Sequence, residues 1–148
     1  MATSFETGAY SPADIQITLG GIPVSGFGEG AFISIKFDKP AAEVQQGADG
    51  YVANLIKPAG RTATGTLRLA QTSMANATLY AALTTQQATG GFGLPVFQVL
   101  NSRSGEVATF PHAVILDTAT LEYSDGLSER EWMLQGRCEM VFSGSPAL

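Results

Sequence analysis

A mainly β fold, a small barrel or sandwich of about eight strands with one flanking α-helix, is what this sequence predicts. Three observations carry that expectation. Apolar and polar residues alternate with period two through most of the chain, as Ile15, Ile17 and Leu19 do against Gln16 and Thr18. Turn signals such as Gly20-Gly21, Lys57-Pro58-Ala59-Gly60 and Asp125-Gly126 separate the alternating stretches. Helical spacing shows in one stretch only, 73–87. With 148 residues the chain suits a single domain with a core of its own, and with so little helix its sheets must bury one another or close up.

Taken in order, residues 1–12 read as a flexible arm whose Phe5 and Tyr10 suit docking on a neighbour, 13–142 as the domain, and 143–148 as a loose tail. The strand at 13–19 turns at Gly20-Gly21 into a partner at 22–27, weakened by Pro23 and Gly26. A glycine-rich turn at 28–30 leads into 31–37, with Ile33, Ile35 and Phe37 on one face and Lys39-Pro40 ending it. The polar excursion KPAAEVQQGADG follows, and the chain resumes as a strand at 51–57. In the strand 61–70, Ala63, Gly65, Leu67 and Leu69 oppose Thr62, Thr64, Thr66 and Arg68, a face that is wet yet favours β structure. Ser73 reads as the N-cap of the helix, Met74, Ala77, Leu79 or Tyr80, and Leu83 as its apolar stripe, and Gly90-Gly91 as its stop. Strands at 94–100, 107–110 and 112–123 come next. The last and longest, 128–142, sets Trp132, Leu134, Gly136, Cys138, Met140 and Phe142 against Glu131, Met133, Gln135, Arg137, Glu139 and Val141.

Charged residues make up only 14% of the chain, well under the usual quarter of about 25%. Such depletion fits a surface that meets other protein, and it also occurs in compact all-β monomers. A net charge of −5, with eight unclustered Lys and Arg, lacks the basic stripe that grips phosphates. An acidic surface beside DNA prevents sticking instead. The single cysteine excludes an internal disulfide and suits a reducing compartment. The N-terminal residues carry neither a basic start nor an apolar run, so no secretory signal and no membrane anchor are expected, and synthesis is expected in the cytoplasm.

No catalytic constellation emerges. A Ser or Cys nucleophile needs a base, and His112, the sole histidine, follows Pro111 at a strand start, where a structural role is expected. Cys138 lies on the apolar face of its strand and reads as a small hydrophobe. One Cys and one His make no metal cluster, the carboxylates pair nowhere, and the glycine runs GFGEG and TGGFG match no phosphate-binding pattern and read as turns. Neither cofactor nor metal is expected.

Three segments carry a resemblance: QQGADGYV between two strands of an extended hairpin, GTLRLAQTSMANATL running from strand directly into helix, and the closing strand EREWMLQGRCEM. Together they resemble the tail tube proteins of contractile-tailed bacteriophages, whose fold is shared with the tubes of type VI secretion systems and R-type pyocins. The likeness spans about residues 13–142. It implies a structural virion protein, self-assembling as hexameric rings that stack into a hollow tube for DNA ejection. It further implies a tail location, with the host cytoplasm as the place of assembly. The partners implied are the protein itself and tail sheath, tape-measure, baseplate and tail terminator proteins, while DNA passes the lumen without specific binding. On this resemblance the loop 39–50 is the stacking element between rings, with Val44, Gln45, Gln46, Asp49 and Tyr51 at the contact. It and the N-terminal arm would stay disordered until a ring orders them. Thr62, Thr64, Thr66, Arg68, Glu131, Gln135, Arg137 and Glu139 are the candidate lumen-facing residues. Two other readings stand beside it: a monomeric β-sandwich binding module, for carbohydrate or adhesion, on a larger particle, and a small β-barrel enzyme. The first needs an exposed aromatic platform, and the sole tryptophan falls on the apolar face; the second needs an ionisable constellation.

Overall fold

The computed structural model describes residues 8–56, 61–91 and 94–143. Along the first half run the strands Ile15–Leu19 (β1), Ile22–Pro23 (β2), Ile33–Phe37 (β3), Ala42–Gln46 (β4), Val52–Ile56 (β5) and Thr62–Ala70 (β6). The helix Ala75–Thr89 (α1) follows, then Phe97–Asn101 (β7), Val107–Phe110 (β8), Ala113–Asp117 (β9), Glu129–Arg137 (β10) and Glu139–Val141 (β11). One sheet has the order β3-β6-β10-β9, another β11-β8-β7-β1-β2, and β4 and β5 form a separate pair. Neither larger sheet closes on itself, so of the two expected architectures the fold is the sandwich, mainly β with a flanking helix.

The two-residue period dictates the core. Along β6, Ala63, Gly65, Leu67 and Leu69 are buried, and along β10 Trp132 and Leu134 meet them. From the facing sheet come Ile17, Leu19, Phe97, Ala108 and Phe110, the Phe97 and Phe110 rings crossing edge-on at 6.0 Å. The helix closes one side. Leu79 and Leu83, one turn apart, enter the core, and the Gln86 amide bonds both backbone groups of Ile115. That side chain occupies the outer edge of β9 where another strand would otherwise pair.

Several boundaries differ from the sequence expectation, each for a physical reason. The last strand is two: at Cys138, whose N–H bonds to the Arg61 carbonyl, the chain leaves the first sheet, and β11 pairs with β8 in the second. Strands that switch sheets in this way make the corners of a sandwich. Phe142 consequently ends exposed instead of on a core face. The strand expected over 112–123 stops at Asp117, whose carboxylate accepts the Thr118 N–H and turns the chain away from β10 after an irregular register at Met133/Leu134. The partner strand expected over 22–27 shrinks to β2, and Phe27 instead bridges to Leu69.

The helix begins two residues later than expected. The Ser73 hydroxyl donates to the Ser25 carbonyl and accepts from Ala75, while Met74 is the boundary residue and stands in solvent. Of the expected stripe only Leu79 and Leu83 are buried, and Tyr80 is exposed. Gly90 ends the helix in a left-handed conformation (φ 67°), as its glycine pair foretold. Gly136 allows the tightest approach: a Cβ there would overlap the His112 carbonyl and lie 2.9 Å from Ala113 Cα. Phe5, the turn at 57–60, the 92–93 part of the second glycine run and the tail residues 144–148 lie outside the described residues.

Candidate functional site

The polar excursion is not a loop. Ala42–Gln46 pairs in register with Val52–Ile56, from Ala42 opposite Ile56 to Gln46 opposite Val52, and all ten residues are exposed. The hairpin therefore holds itself by its own ladder, not by a core. Its tip is built locally: Gly47 N–H bonds the Tyr51 carbonyl at 2.7 Å, Gly50 N–H bonds Gly47, and the Asp49 carboxylate accepts the Tyr51 N–H at 3.2 Å. Gly50 takes φ 88°, a conformation that residues with a Cβ avoid. At the base, Arg61 lies 4.0 Å over the Phe37 ring and donates to the Lys39 carbonyl, which fixes where the hairpin leaves the sandwich.

Opposed residues of an antiparallel pair share a face. Ala42, Val44, Gln46, Val52, Asn54 and Ile56 thus form one face, and Glu43, Gln45, Ala53 and Leu55 the other. Of the expected contact residues, Val44 and Gln46 share a face, Gln45 points away from them, and Asp49 and Tyr51 sit at the tip. Val52 and Ile56 join Val44 on the first face while Leu55 stands on the other; all three are exposed and escaped the sequence reading. Their signal was the run VANLI, which lacks the polar alternation of a strand packed on one side only.

The second candidate surface is the outer face of the first sheet. The register sets Arg68 beside Glu131, Thr66 beside Met133, Thr64 beside Gln135 and Thr62 beside Arg137, so seven of the eight candidate lumen residues share one face. The eighth, Glu139, belongs to β11 in the other sheet, opposite Thr109. The face is tied across strands: Arg68 Nε stands 3.4 Å from Glu131, and Asp38 accepts from both Thr64 Oγ1 and Gln135 Nε2 at 2.6 Å. Asp38, which the sequence reading passed over, is the hub of this network. The same face carries Lys36, Arg68 and Arg137 together with Asp38, Asp117, Glu129 and Glu131, so it is mixed in charge with acids in slight excess.

Cys138 is buried, and burial pushes its thiol above the ordinary value, with the Glu139 carboxylate adding and a Thr109 backbone hydrogen bond opposing. That is the reverse of an activated nucleophile. His112 is exposed. A recess of about 390 Å³ beside β9 and β10 is lined by Asp117, Glu122, Glu129 and Glu131 among others. Among the described residues no three His, Cys, Asp or Glu are placed to hold a metal ion, and no helix is long and apolar enough to cross a membrane.

No protein-family model matches the chain, and no curated protein matches it by sequence. Solved structures do. A chain from the virion of a native gene transfer agent particle superposes with a TM-score of 0.60 at 17% identity, over 90% of this chain and 100% of that one. A chain from the anti-feeding prophage cap, described as a tube-terminating cap, gives 0.56 at 14% identity, over 97% and 100%. The fold is thus shared, over nearly the whole length of this chain, with a chain of each of these two particles.

Proposed function

We propose that the chain is a structural subunit of a phage-like or contractile-injection particle, and within it a tube subunit stacked as hexameric rings. One observation carries the reading: a self-supporting hairpin with both faces exposed, Val44, Val52, Leu55 and Ile56 among them, on a fold common to such particles. Apolar surface held away from a core is stable in water only at a cost, and contact with another subunit removes it. In this role the hairpin makes the contact between rings. The Thr62–Arg68 and Glu131–Arg137 face lines the lumen, and DNA slides past its mixed charge without a basic stripe to hold it. Sheath, tape-measure, baseplate and terminator proteins are the further partners, the virion tail is the destination, and the role is not catalytic.

Deleting residues 43–50 tests it. Sedimentation velocity of the deletion should show a folded monomer where the full chain assembles, and assembly equal to that of the full chain would refute the stacking role. The cap among the structural neighbours supports a second reading, a tube-terminating ring instead of the repeating subunit. The two differ in outcome: a terminator stops at one ring, while a repeating subunit grows tubes of open length.

A further inference from the structure

The chain holds two Asp-Gly pairs, Asp49-Gly50 and Asp125-Gly126, and no Asn-Gly pair. In such a pair the main-chain nitrogen of the glycine can attack Cγ of the aspartate, since no Cβ on the following residue shields it. A C–N bond forms, the carboxyl C–O bond breaks, and the hydroxyl leaves with the amide proton as water. Water then opens the succinimide ring at either carbonyl. One opening restores aspartate, and the other yields isoaspartate, with one more carbon in the main chain and no change of oxidation state. The step needs a glycine N–H without a partner, a carboxyl that can swing over it, and a backbone with room to turn.

The two pairs differ in these respects. At the hairpin tip the Gly50 N–H is taken by the Gly47 carbonyl at 3.0 Å, and the Asp49 carboxylate is held on the Tyr51 N–H at 3.2 Å. The paired strands β4 and β5 close directly beneath, with Gln46 opposite Val52. Asp125 and Gly126 instead stand exposed in the connection between β9 and β10, which between 118 and 128 holds neither helix nor strand and no buried residue. That connection is tied at its two ends, by Asp117 to the Thr118 N–H and by Ser128 to the Gln71 amide oxygen. Among the described residues nothing bonds the Asp125 carboxylate or the Gly126 N–H, and the Gly126 carbonyl accepts from Ser124 Oγ at 3.3 Å. A Cβ built on Gly126 would meet nothing within 4 Å, so the pair has open space around it.

We propose that Asp125 is a site of spontaneous isoaspartate formation in the folded chain, and that Asp49, with the same pair of residues, is held back by the hydrogen bonds of the hairpin tip. The chemistry requires no assembly of the chain. A hairpin held by its own ladder opens often, so the protection of Asp49 is modest and follows the fraction of time the tip is open. Isomerisation at Asp125 lengthens a connection that contributes nothing to the core, and the sandwich stays folded.

The whole chain is aged at 37 °C and pH 7.4, folded and, in parallel, in guanidinium chloride, and is then cut with trypsin. Asp49 falls in peptide 37–61 and Asp125 in peptide 104–130, because Lys39 and Lys57 precede proline and are not cut. Isoaspartate in each is read by methyl transfer from an isoaspartate-specific methyltransferase and by chromatographic splitting of the peptide at unchanged mass. In denaturant the two sites should react at rates within about twofold of each other, since local structure no longer separates them. In the folded chain Asp125 should keep its denatured rate to within about twofold, while Asp49 slows by about fivefold or more. Gly126→Ala, which the open space accommodates, should slow Asp125 by about tenfold and leave the circular dichroism spectrum unchanged. A folded chain in which Asp49 reacts as fast as Asp125, or in which Asp125 is slowed as much as Asp49, overturns the proposal.

Discussion

Asn76 shows how much one side chain can organise. Its amide donates to the Ala70 and Ser73 carbonyls at 3.0 and 3.1 Å, and its oxygen accepts the Trp132 indole N–H at 3.0 Å, joining β6, the start of α1 and β10. Trp132 is only 4% exposed, so Asn76→Ala strands its N–H without water; a loss of about 1–3 kcal/mol in urea unfolding is expected, with a change in tryptophan fluorescence. Cys138 makes a second prediction. Because burial raises its pKa above 9.0, the stability it contributes is whole below that pH and is lost as the pH climbs through the folded value. Native protein should resist thiol reagents at pH 8 and react with one equivalent when unfolded. Cys138→Ala should lessen the fall in urea midpoint between pH 8 and pH 10, and an unchanged fall would assign it to other groups. The burial of Cys138 and Trp132 was legible from their alternation with polar neighbours. Asn76 was not, because its partners are 6 and 56 residues away in the chain and only packing brings them together.

Elements were legible where one face meets the core. In β6 and β10 the hydrophobic effect writes itself into every second residue, and the reading of their faces matches the observed burial. It failed where hydrogen bonds act without burial. Ala42–Gln46 offers only Ala42 and Val44 as an apolar alternation, too little to bury, so a strand held only by its ladder to Val52–Ile56 looked like a loop. It also failed where the chain changes sheet, since the alternation of 128–142 continues unbroken through Cys138 while the pairing partner switches from β6 to β8. The hairpin carries its own prediction. Two-stranded sheets without a packed face are marginal in water, so in the dispersed chain the amides of 42–56 should exchange with deuterium far faster than those of β6 and β10. On assembly they should slow by at least tenfold. Hairpin amides that are already protected in the monomer would contradict its lack of support. The Gln86 amide on Ile115 is the opposite device, a side chain that closes the edge of β9.

At the scale of the whole molecule, low charge, an overall balance of −5 and an exposed hairpin belong together. Few charged groups stand to be desolvated when subunits meet, and exposed apolar side chains stand both on the hairpin, as Val44 and Ile56, and elsewhere, as Leu121, Tyr123 and Leu127. The fold class could be read from alternation and turn signals. The recess lined by Ile15, Ile33 and Met140 could not, since it is assembled from strands between Ile15 and Phe142 and exists only once the sheets are packed. Electron microscopy of the purified chain, negatively stained after concentration at low and at high salt, tests the central claim most directly. Hollow rings, or tubes built of them, are the expected images. Particles no larger than the monomer at every concentration and salt would contradict a chain that assembles through its own hairpin.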